Sequence, residues 1–291
     1  MGNNKETTGM PVEGLPIEFT WKTNKWKDIF DKQIELLKSD IKRALVADKF
    51  IIYLSCPISS RGGSFDYTNV EIAYHTERRL LNKWGENVWI LNPARYQLES
   101  KEGTGLIMGH AEELGISEEE LKELLKPENH AKGGDYMRMW TKVLAEDDAQ
   151  GDLKNTGQNF GAYYFLSPTD VYDYFSKGGS VDVISGVEEY FSRKYDTNID
   201  FRKAFSSDKY DTDSKWEKVR KDFVYFYTLR AGSGFSKGAR DEWNIWVLLN
   251  QKRMDAEKNV SNLIPGFFED KQVDMASSVE LTLDGYGTTN K

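Results

Sequence analysis

The stretch from Lys49 to Pro93 limits the architecture of this chain more than any other part of it. It begins "KFIIYLSCPI", a continuous apolar run that suits a strand buried on both faces of a parallel sheet. A turn rich in serine and glycine follows, "SSRGGS", and Thr68-x-x-Glu71 then reads as a capping box that opens a helix. Val70, Ala73, Leu80, Leu81 and Trp84 carry that helix to Gly85, and "NVWILNP", Asn87 to Pro93, reads as a second strand. Strand, helix and strand in so short a span make a right-handed crossover, which sets the two strands parallel. The expected class is α/β, with a doubly wound, mostly parallel sheet.

The rest of the chain extends this plan. Trp26 to Leu45 has apolar residues at helical spacing (Ile29, Phe30, Ile34, Leu37, Ile41), so an amphipathic helix precedes the first strand. Ser117 caps a short acidic helix that stops at Pro127, Asp135 to Ala145 reads as a helix after Gly133-Gly134, Tyr163 to Leu166 as a strand, and Val181 to Lys194 as a helix. Lys203 to Lys215 is a polar connection. "DFVYFYTL", Asp222 to Leu229, reads as an aromatic strand, followed by a glycine turn and an apolar helix from Lys237 to about Asn250. The division that results is a lead and helix over 1–48, a catalytic domain over 49–260 with a large insertion at about 98–215, and a tail over 261–291 that is polar apart from a short apolar patch at Ile264 to Phe268.

Composition excludes several classes. A net charge of −8 argues against a nucleic-acid or anionic-membrane partner, both of which attract basic surfaces. One cysteine, Cys56, rules out an internal disulfide framework and suits a reducing compartment. No apolar run approaches a membrane span, and the opening "MGNNKETTGMPVEG" has no apolar core of signal-peptide length, so a cytoplasmic protein is expected.

The candidate chemistry sits where open α/β sheets bind ligands, outside the carboxyl ends of their strands. Ser59, Ser60, Arg61, Gly62, Gly63 and Ser64 fall after the first strand, where glycines permit close backbone approach and a guanidinium offers a forked contact to an anion. The same composition also describes an ordinary solvated turn. It matches neither a Walker loop nor a dinucleotide fingerprint. Glu242 heads the apolar stripe of the last long helix, with Ile245, Trp246 and Leu249 three, four and seven residues on. A glutamate pointing with that stripe is either paired or functional. Asp135 and Asp213 are the alternatives for a second acid. Scattered histidines (His75, His110, His130) and the lack of a cysteine cluster give no metal signature, and no cofactor is expected.

Two of these motifs resemble the nucleoside 2-deoxyribosyltransferase superfamily. "IYLSCPISSRGGSFD" is similar to the opening strand and loop of its nucleoside 5′-monophosphate N-glycosidase branch, and "DFVYFYTL…GFSKGARDEW" to its later strand, serine and catalytic glutamate. The resemblance implies a Rossmann-like fold and hydrolysis of the N-glycosidic bond of a (deoxy)nucleoside 5′-monophosphate. Glu242 would be the nucleophile and Asp135 or Asp213 the acid. Tyr53, Ser55, Ser59, Ser60, Arg61, Gly62, Gly63, Ser64, Asn92 and Ser236 would hold the sugar and phosphate. It also implies a homodimer, since family members commonly complete one another's pockets. Serine at 236, where the transferases carry aspartate, points to the hydrolases. A base-exchanging transferase, an NAD glycohydrolase and a nucleotide-binding module without turnover remain the alternatives.

Overall fold

The computed structural model describes residues 24–58, 66–98, 103–145, 157–177, 182–205, 213–257 and 262–273, together with 7–8, 17–18, 20–21, 179, 285–286 and 288–289. The loop candidates Ser59, Ser60, Arg61, Gly62, Gly63 and Ser64 lie outside the described residues, as does most of the lead.

A five-stranded sheet forms the centre. Its strands, numbered here in chain order, are β1 (Phe50–Ser55), β2 (Val88–Leu91), β3 (Ala162–Phe165), β4 (Gly266–Phe268) and β5 (Lys271–Gln272). They lie in the order β2-β1-β3-β4-β5. The first four are mutually parallel, and only β5 turns back antiparallel on β4. The connection from β1 goes to one side and that from β2 crosses to the other, so the topological switch falls between β1 and β3.

Ten helices among the described residues enclose the sheet: α1 (Asn24–Val46), α2 (Asp66–Trp84), α3 (Gly103–Glu113), α4 (Glu118–Leu124), α5 (Gly133–Ala145), α6 (Pro168–Ser176), α7 (Val183–Thr197), α8 (Ile199–Phe205), α9 (Asp213–Leu229) and α10 (Lys237–Glu257). The alternation of strand side chains explains the two layers. Ile51 and Tyr53 of β1, with Tyr163 and Phe165 of β3, join a core made with α1, α5 and α10. Ile52 and Leu54, with Ala162 and Tyr164, join a second core made with α2, α6, α7 and α9. All of β3, and all of β1 except the exposed Phe50 at its start, is thus buried, which is why both read as apolar runs. Each large side chain so buried is worth about 1.5–3 kcal/mol. The fold is therefore α/β with a mostly parallel sheet covered on both sides.

Four expectations need correction. "DFVYFYTL" is the end of α9, not a strand. Val219, Phe223 and Tyr227 recur every four residues and are buried, whereas Tyr225 and Leu229 are exposed. A helix with one aromatic face produces the same dense run as a buried strand. Second, α2 begins at Asp66, so Thr68 lies inside the helix rather than capping it. Its hydroxyl is 3.2 Å from that of Tyr190. Third, the span 98–215 is woven into the core, since it supplies β3, the strand between β1 and β4. Fourth, the span read as a polar tail supplies β4. Gly266 is needed there, because a Cβ would come within 2.5 Å of the Trp246 ring. The capping box at Ser117 and the helices α1, α5, α7 and α10 follow the sequence reading.

Candidate active site

A cavity of about 710 Å³ opens at the carboxyl ends of β1 and β2. Cys56 and Ile58 follow β1, and Pro93 and Gln97 follow β2; the N-terminal halves of α2, α5 and α10, with Asp200 of α8 and Tyr286, add to the walls. Crossover connections bring these helix starts to one end of the sheet. Ser233 fastens the approach to α10: its hydroxyl donates to the Leu166 carbonyl at 2.7 Å and lies 3.2 Å from the Ser55 carbonyl. The helix carrying Glu242 is thereby tied to the ends of β3 and β1, across the switch point.

Glu242 lines the cavity yet is 4% exposed. The Tyr53 hydroxyl donates to its Oε1 at 2.7 Å. Its Oε2 is buried with no hydrogen-bond partner among the described residues, and so is the Ser55 hydroxyl. Burial pushes the Glu242 carboxyl up to about 8; the Ser55 and Tyr53 hydroxyls act against that rise and the Asp241 charge adds to it. The same surroundings push the Tyr53 phenol and the Cys56 thiol well up, burial first and the Glu242 charge second. A thiol held neutral in this way is a poor nucleophile. The site thus contains a carboxyl that the Tyr53 phenol orients and the Ser55 hydroxyl helps to keep charged, with Oε2 outside any hydrogen bond among the described residues.

The walls are aromatic and acidic. Tyr67 and Tyr74 come from one face of α2, Tyr136 and Trp140 from α5. Tyr286 arrives from the far end of the chain, and its backbone N–H donates to Asp241 Oδ2 at 2.6 Å. Its ring lies over Gly133, where a Cβ would come within 2.3 Å of it. Glu71 also lines the cavity, and accepts hydrogen bonds from Tyr174, Tyr190 and Lys194.

The predicted residues divide clearly. Glu242, Tyr53, Ser55 and Ser236 come together, Ser236 lining the cavity and accepting the Ala239 N–H at 3.3 Å. Asn92 and Asp135 do not line it. Asn92 is wholly buried, accepts the Ala94 N–H and donates to Glu77, so it shapes the turn after β2. Asp135 Oδ2 accepts the Lys132 N–H at 2.8 Å in the first turn of α5, where an acid also meets the positive end of the helix dipole. Asp213 opens α9, and its side chain lies outside the described residues. Sequence reasoning missed the aromatic walls. On α2 the signal was present, because Tyr67, Val70, Glu71 and Tyr74 share one helical face.

Together the fold and the cavity define an α/β protein with a crevice at the carboxyl end of a mostly parallel sheet and a buried carboxyl in its wall. No family model, curated protein or solved structure matches the chain. Among the described residues, no group of three or more His, Cys, Asp or Glu side chains could hold a metal ion, and no helix is long and apolar enough to cross a membrane.

Proposed function

We propose that the chain is an N-glycosidase that hydrolyses a nucleoside 5′-monophosphate, with Glu242 as the nucleophile. The observation that carries this reading is a buried carboxyl, Glu242, that lines a cavity large enough for a nucleotide and whose Oε2 makes no hydrogen bond among the described residues. The resemblance of the β1 and Glu242 motifs to the monophosphate N-glycosidases points the same way.

The chemistry follows from the geometry. As the C1′–N bond breaks, its electron pair leaves with the base and positive charge grows at C1′. The ionised Oε2 of Glu242 meets that charge and forms an ester bond to C1′, while the Tyr53 hydroxyl holds the other oxygen and fixes the carboxylate plane. Water then attacks C1′ as the ester C–O bond breaks, its proton passes to the departed base, and the sugar phosphate is released with the carboxylate restored. Binding energy from the phosphate, contributed by the loop around Arg61, would orient the sugar over Glu242.

The test is a panel of nucleosides and nucleoside 5′-monophosphates scored for free base by chromatography, with and without an added acceptor base. Base release from a monophosphate without acceptor is the expected result. Release only with acceptor would make the chain a transferase, and binding without release would overturn the enzymatic reading.

A further inference from the structure

Asn69 heads a buried stripe of α2, which Ile72, Ala73, Thr76 and Leu80 continue at helical spacing. Asparagine is a poor helix former, and a polar group only 4% exposed is unfavourable unless it is paired. Both ends of this amide are paired, each with a partner from another part of the fold. Nδ2 donates to the Ile58 carbonyl at 3.0 Å, and Oδ1 accepts the hydroxyl of Tyr227, on α9, at 2.8 Å. A carbonyl can only accept, so Ile58 fixes which way round the amide lies. Tyr227 is itself buried, with its ring packed among Phe175, Phe223 and Phe226.

Neighbouring polar residues of α2 bind helices to one another. Thr68 lies beside the Tyr190 hydroxyl, and Glu71 accepts from Tyr174, Tyr190 and Lys194. Asn69 differs, because it reaches the chain that leaves β1. Ile58 lines the cavity and directly precedes Ser59, where the serine, arginine and glycine turn begins in the sequence. Asn69 does not line the cavity itself.

We infer that Asn69, braced by Tyr227, is a positioning residue for anion binding: it fixes the Ile58 carbonyl and so sets where the chain enters the turn proposed to hold the 5′-phosphate. The inference rests on the phosphate site of the N-glycosidase reading and adds the device that prepares it. An entry point fixed before the ligand arrives spares part of the ordering cost of binding. Only the part of the ligand held by that turn gains from it, so loss of the amide should be felt on the phosphate rather than on the base or sugar.

The test is calorimetric binding of adenosine 5′-monophosphate and of adenosine to the full chain, as wild type, Asn69→Leu and Tyr227→Phe. Both substitutions are close in size and uncharged, so neither puts a new charge near an anion. The wild type should bind the monophosphate more tightly than the nucleoside. Asn69→Leu should shrink that preference about tenfold, and Tyr227→Phe, which leaves the Ile58 bond in place but unbraced, about twofold. Thermal unfolding of the same samples supplies the control. A merely structural role would lower the midpoint and weaken both probes equally, leaving their ratio where it was. An unchanged ratio in Asn69→Leu, or in Tyr227→Phe should the first variant not fold, overturns the inference. So does a wild type that binds the monophosphate no better than the nucleoside, since there is then no anion site to position. Base release is scored separately: a preference lost in the variants, with no base released by the wild type, overturns the N-glycosidase reading and leaves the positioning role standing.

Discussion

Two glutamates are buried to almost the same degree on either side of the β1 strand end, and their surroundings differ completely. Glu77 is 5% exposed, and both its oxygens are engaged by Arg95, with Asn92 donating to Oε2 as well. Glu242 is 4% exposed, has one phenol on one oxygen, and leaves the other unpaired. The first is a structural carboxylate: it holds the turn after β2 against α2 and has nothing left to offer. The second is kept at a cost to the fold, because a buried polar atom without a partner is unfavourable. Burial alone would have picked out both residues. The count of unfilled hydrogen-bond sites separates them.

The contrast can be broken most sharply at Glu242. Glu242→Gln should preserve the fold and the Tyr53 hydrogen bond yet lower base release at least about a thousandfold, since an amide cannot act as the nucleophile. Turnover near the normal rate would remove Glu242 from the chemistry.

The next largest effect concerns pH. The Glu242 carboxyl is raised from 4.5 to about 8 in the fold, so between those values the folded chain holds a proton that the unfolded chain has released. Its contribution to stability is fully present below about 4.5, declines as pH rises toward 8, and is lost above that. At about 1.4 kcal/mol per tenfold change in proton affinity, the decline amounts to several kcal/mol. Denaturant unfolding of wild type and Glu242→Gln from pH 5 to 9 should therefore show the variant gaining on the wild type as pH rises. Parallel curves would mean that the carboxyl is not desolvated. For activity the sign is opposite: the nucleophile is the ionised form, so kcat/KM should climb with pH through about 8.

Glu77→Ala should do the reverse of the Glu242 change. It strands the Asn92 amide and releases Arg95, and about 2 kcal/mol of stability should be lost at neutral pH. Arg95 is half exposed, which keeps the figure below that of a fully buried pair. A loss of activity without loss of stability would show that the two glutamates are less distinct than their bonding suggests. The smallest effect is that of Tyr53→Phe, which removes one hydrogen bond to Oε1. It should cost about 1 kcal/mol in transition-state stabilisation, roughly a fivefold fall in kcat/KM.

How much of this was legible in the sequence depended on the length of each pattern. β1, α2 and β2 could be read because their apolar runs are long and end in turn residues. Glu242 could be read because it heads a stripe whose other members are plainly apolar. Phe223 and Tyr227 misled because aromatic residues satisfy strand and helix patterns equally over eight positions. β4 was lost because three residues, Gly266 to Phe268, carry no period at all. The acid partner could not be chosen, because Asp135 and Asp213 were weighed by their neighbours in sequence, whereas only the tertiary fold decides which side chains reach the cavity, and Asp135 does not line it. The same limit hid Tyr286, which reaches the site through a close approach to Gly133 that no local pattern announces.

The hydrogen bond between Tyr53 and Glu242 joins residues 189 positions apart. β1, α2 and β2 are close together in the chain, so the pairing of β1 with β2 can form early. β1 must wait for β3, β3 must wait for β4, and α10 lies between the last two in the chain. Closing loops of this length is entropically slow, and a sheet whose central strands pair out of sequence order belongs among slow folders. The Glu242 carboxyl should consequently be among the last groups to be buried, so on the proposed reading base release during refolding should recover after the helical signal. On the ribosome, β1 would spend the synthesis of about two hundred residues without its final neighbours.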